Sequence, residues 1–189
     1  MHKNLYIIAG CNGAGKTTAS YSVLPEALEC REFINADEIA RGLSPFQPET
    51  VTIQAGRIML QRIDDLIVRG QDFAFETTLS SKSYIQTIKK AQAQDYHVTL
   101  LYFWLNSPQL AIERVRKRVS AGGHHVPNDI VSRRYERGLS NFLNLYISVC
   151  NYWLMIDNSA QPSEIIAKGK TGNINVNNIV LWNQLTQKF

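Results

Sequence analysis

Apolar positions along the chain collect into short runs, and the stretches between them carry helical spacing. Five runs read as strands, at residues 5–9, 32–34, 73–75, 98–105 and 153–156. The fourth, Val98-Thr99-Leu100-Leu101-Tyr102-Phe103-Trp104-Leu105, is nearly unbroken, as expected of a parallel strand covered on both faces. The intervening spacing predicts helices at 16–23, 38–41, 48–69, 81–94, 109–120 and 128–150. In the last of these Val131, Tyr135, Leu139, Phe142, Tyr146 and Val149 recur every three or four residues. Pro25 is expected to stop the first helix and Gly70 the third, while Pro162 opens a final short helix at 162–168. The tail from Lys170 contains Ile174, Val176 and Ile179 to Trp182, so part of it packs on the domain. Alternating strands and helices predict an α/β fold, doubly wound around a mainly parallel five-stranded sheet.

The first strand runs straight into Gly10-Cys11-Asn12-Gly13-Ala14-Gly15-Lys16-Thr17, followed by Thr18, a complete G-x-x-x-x-G-K-[ST] phosphate loop between strand and helix. The glycines allow the backbone to curl with its N–H groups inward, and the helix N-terminus adds its dipole, so residues 10–18 form an anion cradle. Lys16 is placed to reach the β- and γ-phosphates of a nucleoside triphosphate and Thr17 to hold a magnesium ion. The competing dinucleotide fingerprint fits poorly, because the loop ends in Gly-Lys-Thr.

Two acids follow strand ends. Asp37, in Asn35-Ala36-Asp37-Glu38, is the candidate base on the acceptor side, and it also fits a cap or first-turn acid of the next helix. Glu76, in Phe75-Glu76-Thr77-Thr78, can bind the acceptor, orient magnesium through water, or replace Asp37 as base. Ligands of open α/β sheets bind at this carboxyl edge of the strands.

Charge changes the picture in one place. The formal net charge is +4, yet the segment 114–137 alone carries +5 through Arg114, Arg116, Lys117, Arg118, Arg133, Arg134 and Arg137 against Asp129 and Glu136. Localised charge suits closure over a polyphosphate better than a general nucleic-acid surface, and with Gly122-Gly123 and Pro127 it reads as a basic helical lid. Arg134 flanks the apolar stripe of its helix, whereas Arg133 and Arg137 lie nearly opposite. His124-His125 lacks further ligands at zinc spacing. Cys11, Cys30 and Cys150 are odd in number and expected to be reduced. At 189 residues, with no long apolar segment, the chain is expected to be one cytoplasmic domain with no membrane association.

The motifs GCNGAGKTT at 10–18, NADEIA at 35–40, FETTLS at 75–80 and AGGHHVPNDIVSRRYERGLSN at 121–141 resemble the zeta-toxin family of P-loop kinases, over roughly residues 4–160. The resemblance implies strand order 2-3-1-4-5 and phosphorylation of a sugar hydroxyl on UDP-N-acetyl sugars with ATP or GTP and magnesium. Many members are toxins opposed by an antitoxin protein. By position it makes Lys16 the phosphate lysine, Thr17 the magnesium hydroxyl, Asp37 the base and Glu76 a second substrate-side acid. Arg118 and Arg134 become the phosphate clamp, with Arg133 the alternative to Arg134. Two other readings stay open: a polynucleotide 5′-hydroxyl kinase, which the basic segment favours, and a slow nucleotide-hydrolysing switch that binds a protein partner.

Overall fold

The computed structural model describes residues 3–123, 125–170 and 172–188. Its sheet has seven strands in the order β2-β3-β1-β4-β5-β6-β7. Strands β1 (Lys3–Ala9), β2 (Phe33–Ile34), β3 (Phe73–Thr77), β4 (Tyr96–Trp104) and β5 (Tyr152–Asp157) are mutually parallel. The first five strands therefore keep the expected order and put their carboxyl ends on one edge.

Successive residues of β4, and Leu105 just after it, divide the core. Val98, Leu100, Tyr102 and Trp104 enter one apolar cluster, and Leu101, Phe103 and Leu105 enter the other. Helices α3 (Thr52–Arg69) and α4 (Tyr84–Gln92) cover the first face, and α1 (Lys16–Ala27) and α5 (Pro108–Ser120) the second. Helix α6 (Asn128–Asn141) serves both, with Val131 and Tyr135 on the second face and Leu139 on the first. It continues through a π-helical turn at Phe142–Tyr146 into α7 (Ile147–Val149). The wider turn lets Phe142 stack on Tyr102 with ring centroids 4.5 Å apart, and Tyr146 bury completely.

Two expectations are corrected. Helix α1 passes through Pro25 and ends at Ala27. The helix expected at 162–168 is instead a strand, β6 (Glu164–Lys170), antiparallel to β5, and β7 (Asn173–Val176) pairs antiparallel to it. The sheet thus has seven strands where five were expected. Pro162 resembled a helix start, but Ile165 and Ile166 are β-branched, Ile166 and Ala167 are buried, and Gly169 crosses the face of Trp153. A Cβ on Gly169 would lie 2.7 Å from the Asn173 carbonyl and 2.8 Å from the Trp153 ring. Helix α8 (Ile179–Lys188) closes the tail by stacking Trp182 on Trp153 at 5.7 Å.

Among the described residues no helix is long and apolar enough to cross a membrane.

Candidate active site

The loop between β1 and α1 is compressed from three sides. Gly10, Gly13 and Gly15 have φ of +141°, +80° and +83°. A Cβ on them would lie 2.2 Å from the Phe103 carbonyl oxygen, 2.7 Å from that of Ala111, and 2.5 Å from Nδ2 of Asn158. The loop is thus wedged between the end of β4, the first turns of α5 and the segment after β5, positions open only to glycine. Asn158 Nδ2 donates to the Ala14 carbonyl at 2.8 Å, fixing the crest of the loop.

Lys16 is 5% exposed and donates to the Cys11 carbonyl at 2.9 Å, folding back across its own loop. Its Nζ also lies 3.4 Å from Glu76 Oε1. The other carboxylate oxygen, Oε2, accepts from Thr17 Oγ1 at 2.7 Å and from Asn35 Nδ2 at 2.9 Å. Register explains this meeting: Glu76 pairs with Ile8 across β1 and β3, so its side chain emerges where β1 turns into the loop. Glu76 therefore faces the phosphate loop directly. Its contacts favour the magnesium-orienting role among those left open by the sequence.

Asp37 lies in the first turn of α2 (Ala36–Leu43), and Asn35, not Asp37, is the N-cap. The helix dipole favours a carboxylate there. Across the cleft, burial pushes the pKa of Arg134 down, opposed by the Asp37 carboxylate and reinforced by Arg133. A guanidinium remains charged under such shifts. Arg134 Nη1 donates to Asn12 Oδ1 at 3.2 Å, which joins α6 to the phosphate loop.

Two cavities meet here. One, of about 240 Å³, is lined by Gly13, Gly15, Thr17, Thr18, Arg114 and Arg118. The other, of about 210 Å³, is lined by Ala36, Met59, Thr77, Thr78, Tyr84 and Arg134. Asn12, Lys16, Asp37 and Glu76 line both, and Asn35 lines the second. The structure thus brings together Lys16, Thr17, Asp37, Glu76, Arg118 and Arg134. Arg133 is exposed and lines neither cavity, nor do Arg116, Lys117 and Arg137. Cys11 is buried beneath the loop, and burial pushes its thiol up to about 11. His125 and Arg116 line a separate cavity between α5 and α6, and His124 lies outside the described residues.

The wall behind the second cavity is held from α6 and the π-helical turn that follows it. Gly138 passes so close to the Thr78 carbonyl that a Cβ would lie 2.4 Å from its oxygen. Asn141 Nδ2 donates to the Leu79 carbonyl at 2.9 Å, and Tyr146 donates to that of Ser81 at 2.6 Å. Leu79 is fully buried with a φ of +58°, a left-handed conformation rare for leucine and held here by those neighbours.

Sequence reasoning gave Asn35 no role of its own and counted Arg114 only among the basic residues of the lid. Asn35 did carry a signal, since an asparagine just before two acids marks a helix N-terminus. Arg114 donates to the Ser159 carbonyl at 2.8 Å, and nothing in its own segment announces that partner.

The donor set suits a hard divalent cation beside a polyphosphate. The Thr17 hydroxyl and the Glu76 carboxylate supply oxygen ligands next to a backbone cradle that any Cβ would obstruct.

A mainly parallel sheet with its phosphate loop after β1 and its acids at neighbouring strand ends defines the P-loop kinase fold. Within that class the chain belongs to the zeta toxin family, whose model matches residues 1–150. An uncharacterized protein of Haemophilus influenzae is 33% identical over 135 residues, covering 71% of this chain and 94% of that protein. The PezAT chromosomal toxin–antitoxin system of Streptococcus pneumoniae shares the fold with a TM-score of 0.70 at 15% identity, over 99% of this chain and 84% of that one. The AvrRxo1-ORF1:AvrRxo1-ORF2 complex, solved with ATP, gives a TM-score of 0.77 at 18% identity and covers 98% of this chain. This chain spans 64% of the matched chain in that complex.

Proposed function

We propose that this protein transfers the γ-phosphoryl group of ATP or GTP, with magnesium, to a hydroxyl of a small molecule. The acceptor class implied by the family resemblance is a nucleotide sugar such as a UDP-N-acetyl sugar. The observation that carries the reading is the pair of adjoining cavities sharing Asn12, Lys16, Asp37 and Glu76. A donor seated on the phosphate loop and an acceptor in the second cavity would meet at those four side chains. ATP is the favoured donor, because the AvrRxo1-ORF1:-ORF2 relative is described with it.

Phosphoryl transfer needs little covalent chemistry from a protein and depends on positioning and charge. Lys16 binds the β- and γ-phosphates in place of its present partner, the Cys11 carbonyl. Thr17 and Glu76 would hold magnesium, which when bound neutralises phosphate charge. Asp37, at the boundary of the two cavities, accepts the proton of the attacking hydroxyl. Arg118 on the donor side and Arg134 on the acceptor side stabilise charge on the transferring group. Residues 114–137 act as a basic lid on a single kinase domain, and closure excludes water, the competing nucleophile. Because PezAT is a toxin–antitoxin system, an antitoxin-like protein partner belongs to the same proposal.

The test incubates the protein with γ-labelled ATP, magnesium and a metabolite extract. A labelled small molecule should form with the wild type and be lost with Asp37→Asn, whose kcat should fall by about 10²–10⁴. Labelled inorganic phosphate alone, released equally by both proteins, overturns the transferase reading in favour of a switch. Label on RNA or DNA 5′ ends, with steeply salt-dependent binding, overturns the small-molecule acceptor.

A further inference from the structure

Asn35 is 7% exposed and occupies the single residue between β2 and α2. Both ends of its carboxamide are committed. Oδ1 accepts from the backbone N–H of Asp37 at 2.8 Å and of Glu38 at 3.4 Å, capping the helix that carries Asp37. Nδ2 donates to Glu76 Oε2 at 2.9 Å, the oxygen that also accepts from Thr17. A helix cap requires only an acceptor, which aspartate or serine provides as well as asparagine. The second bond requires a donor aimed at an acid. Among short side chains a carboxamide offers an acceptor and an amino donor on opposite arms.

The geometry points to Asn35 as a positioning residue that sets Glu76 against Thr17 and, through the same planar group, sets the first turn of α2 that presents Asp37. One side chain thereby ties the magnesium side of the site to the base side. The inference rests on the phosphotransferase reading for the roles of Glu76 and Asp37, and it assigns Asn35 the task of fixing their separation. Asn35 itself transfers no proton and contacts no phosphate.

Substitutions separate the two arms. Asn35→Asp keeps the cap acceptor but turns an oxygen toward Glu76, where like charges repel. Asn35→Ala removes both arms. Three quantities are read for each protein: the thermal midpoint, the affinity for a fluorescent ATP analogue with and without magnesium, and the split between kcat and KM for the acceptor. Asn35→Asp should melt near the wild type, yet its magnesium-dependent gain in nucleotide affinity and its kcat should fall by about 10- to 100-fold, as for other residues that orient metal-site ligands. Its acceptor KM should stay within about twofold, since aspartate is nearly the same size as asparagine and every other residue lining the second cavity is unchanged. Asn35→Ala should show the same losses with a lowered midpoint. If Asn35→Asp matches the wild type in magnesium-dependent affinity and kcat, Asn35 is only a helix cap and the inference is overturned. If the wild type forms no phosphorylated product, the transferase reading fails, while the magnesium-dependent affinity of the two proteins still decides whether Asn35 orients Glu76.

Discussion

The two halves of the cleft, donor and acceptor on the function proposed above, are built in opposite ways. The donor half comes largely from one contiguous stretch, Asn12 to Thr18, cinched by its own Lys16–Cys11 bond and by Asn158. The acceptor half has no such stretch. Its lining comes from the start of α2, the middle of α3, the end of β3, the start of α4 and α6. A phosphate is the same in every nucleotide, so a single local motif can hold it. An acceptor hydroxyl is particular to its molecule, and its pocket is assembled from segments far apart in sequence.

The sharpest way to break that contrast is at Lys16, the one cation among the described residues that lines both halves. Lys16→Ala removes about 3–4 kcal/mol of transition-state stabilisation, a rate loss on the order of a few hundredfold, in a protein that remains folded by circular dichroism. Wild-type turnover would detach the phosphate loop from the reaction. Next comes Arg134, which faces the acceptor half while its neighbour Arg133 is exposed. Arg134→Ala should lower kcat by about 10- to 100-fold with nucleotide affinity nearly unchanged, and Arg133→Ala should leave both near the wild type. Equal losses from the two substitutions would show general electrostatics in place of a directed contact.

Gly138→Ala probes how the acceptor wall is held. The new methyl must displace the Thr78 carbonyl, a cost of about 1–3 kcal/mol read as a lower denaturant midpoint. The last effect concerns the buried thiols and is absent at neutral pH. Burial pushes Cys11 and Cys30 up to about 11 and Cys150 to about 12, from an ordinary 9.0. A folded-state pKa raised in this way contributes stability that is complete below about pH 9 and is lost as pH climbs toward 11–12. The denaturant midpoint should therefore fall between pH 8 and about 10.5, and native protein should resist alkylation at pH 8.

What the sequence revealed follows the same division. The phosphate loop, the five parallel strands and the two strand-end acids were legible because each is a local pattern with a local cause. Asp37 and Glu76 could be placed near Lys16 because parallel strands deliver their ends to one edge. The contact of Glu76 with Thr17 was not legible, since it depends on Ile8 and Glu76 sharing a register. That Arg134 lines the cleft while Arg133 is exposed depends on the rotation of α6 against the loop, although the apolar stripe already leaned toward Arg134. The β6–β7 hairpin was missed because a proline before Ser163-Glu164 imitates a helix start. The deciding facts were the cover Ile166 and Ala167 find on the sheet and the glycine that slides over Trp153.

The three fastenings from α6 and its π-helical extension to the segment behind Glu76 carry a further meaning. Arg134 projects from a girder riveted at Gly138, Asn141 and Tyr146, none of which borders either cavity. The aim of that guanidinium is settled when the chain folds, so the role proposed for it needs no further ordering of the side chain. If Arg134 acts as proposed, damage to any rivet is expected to slow the reaction from residues that border neither cavity.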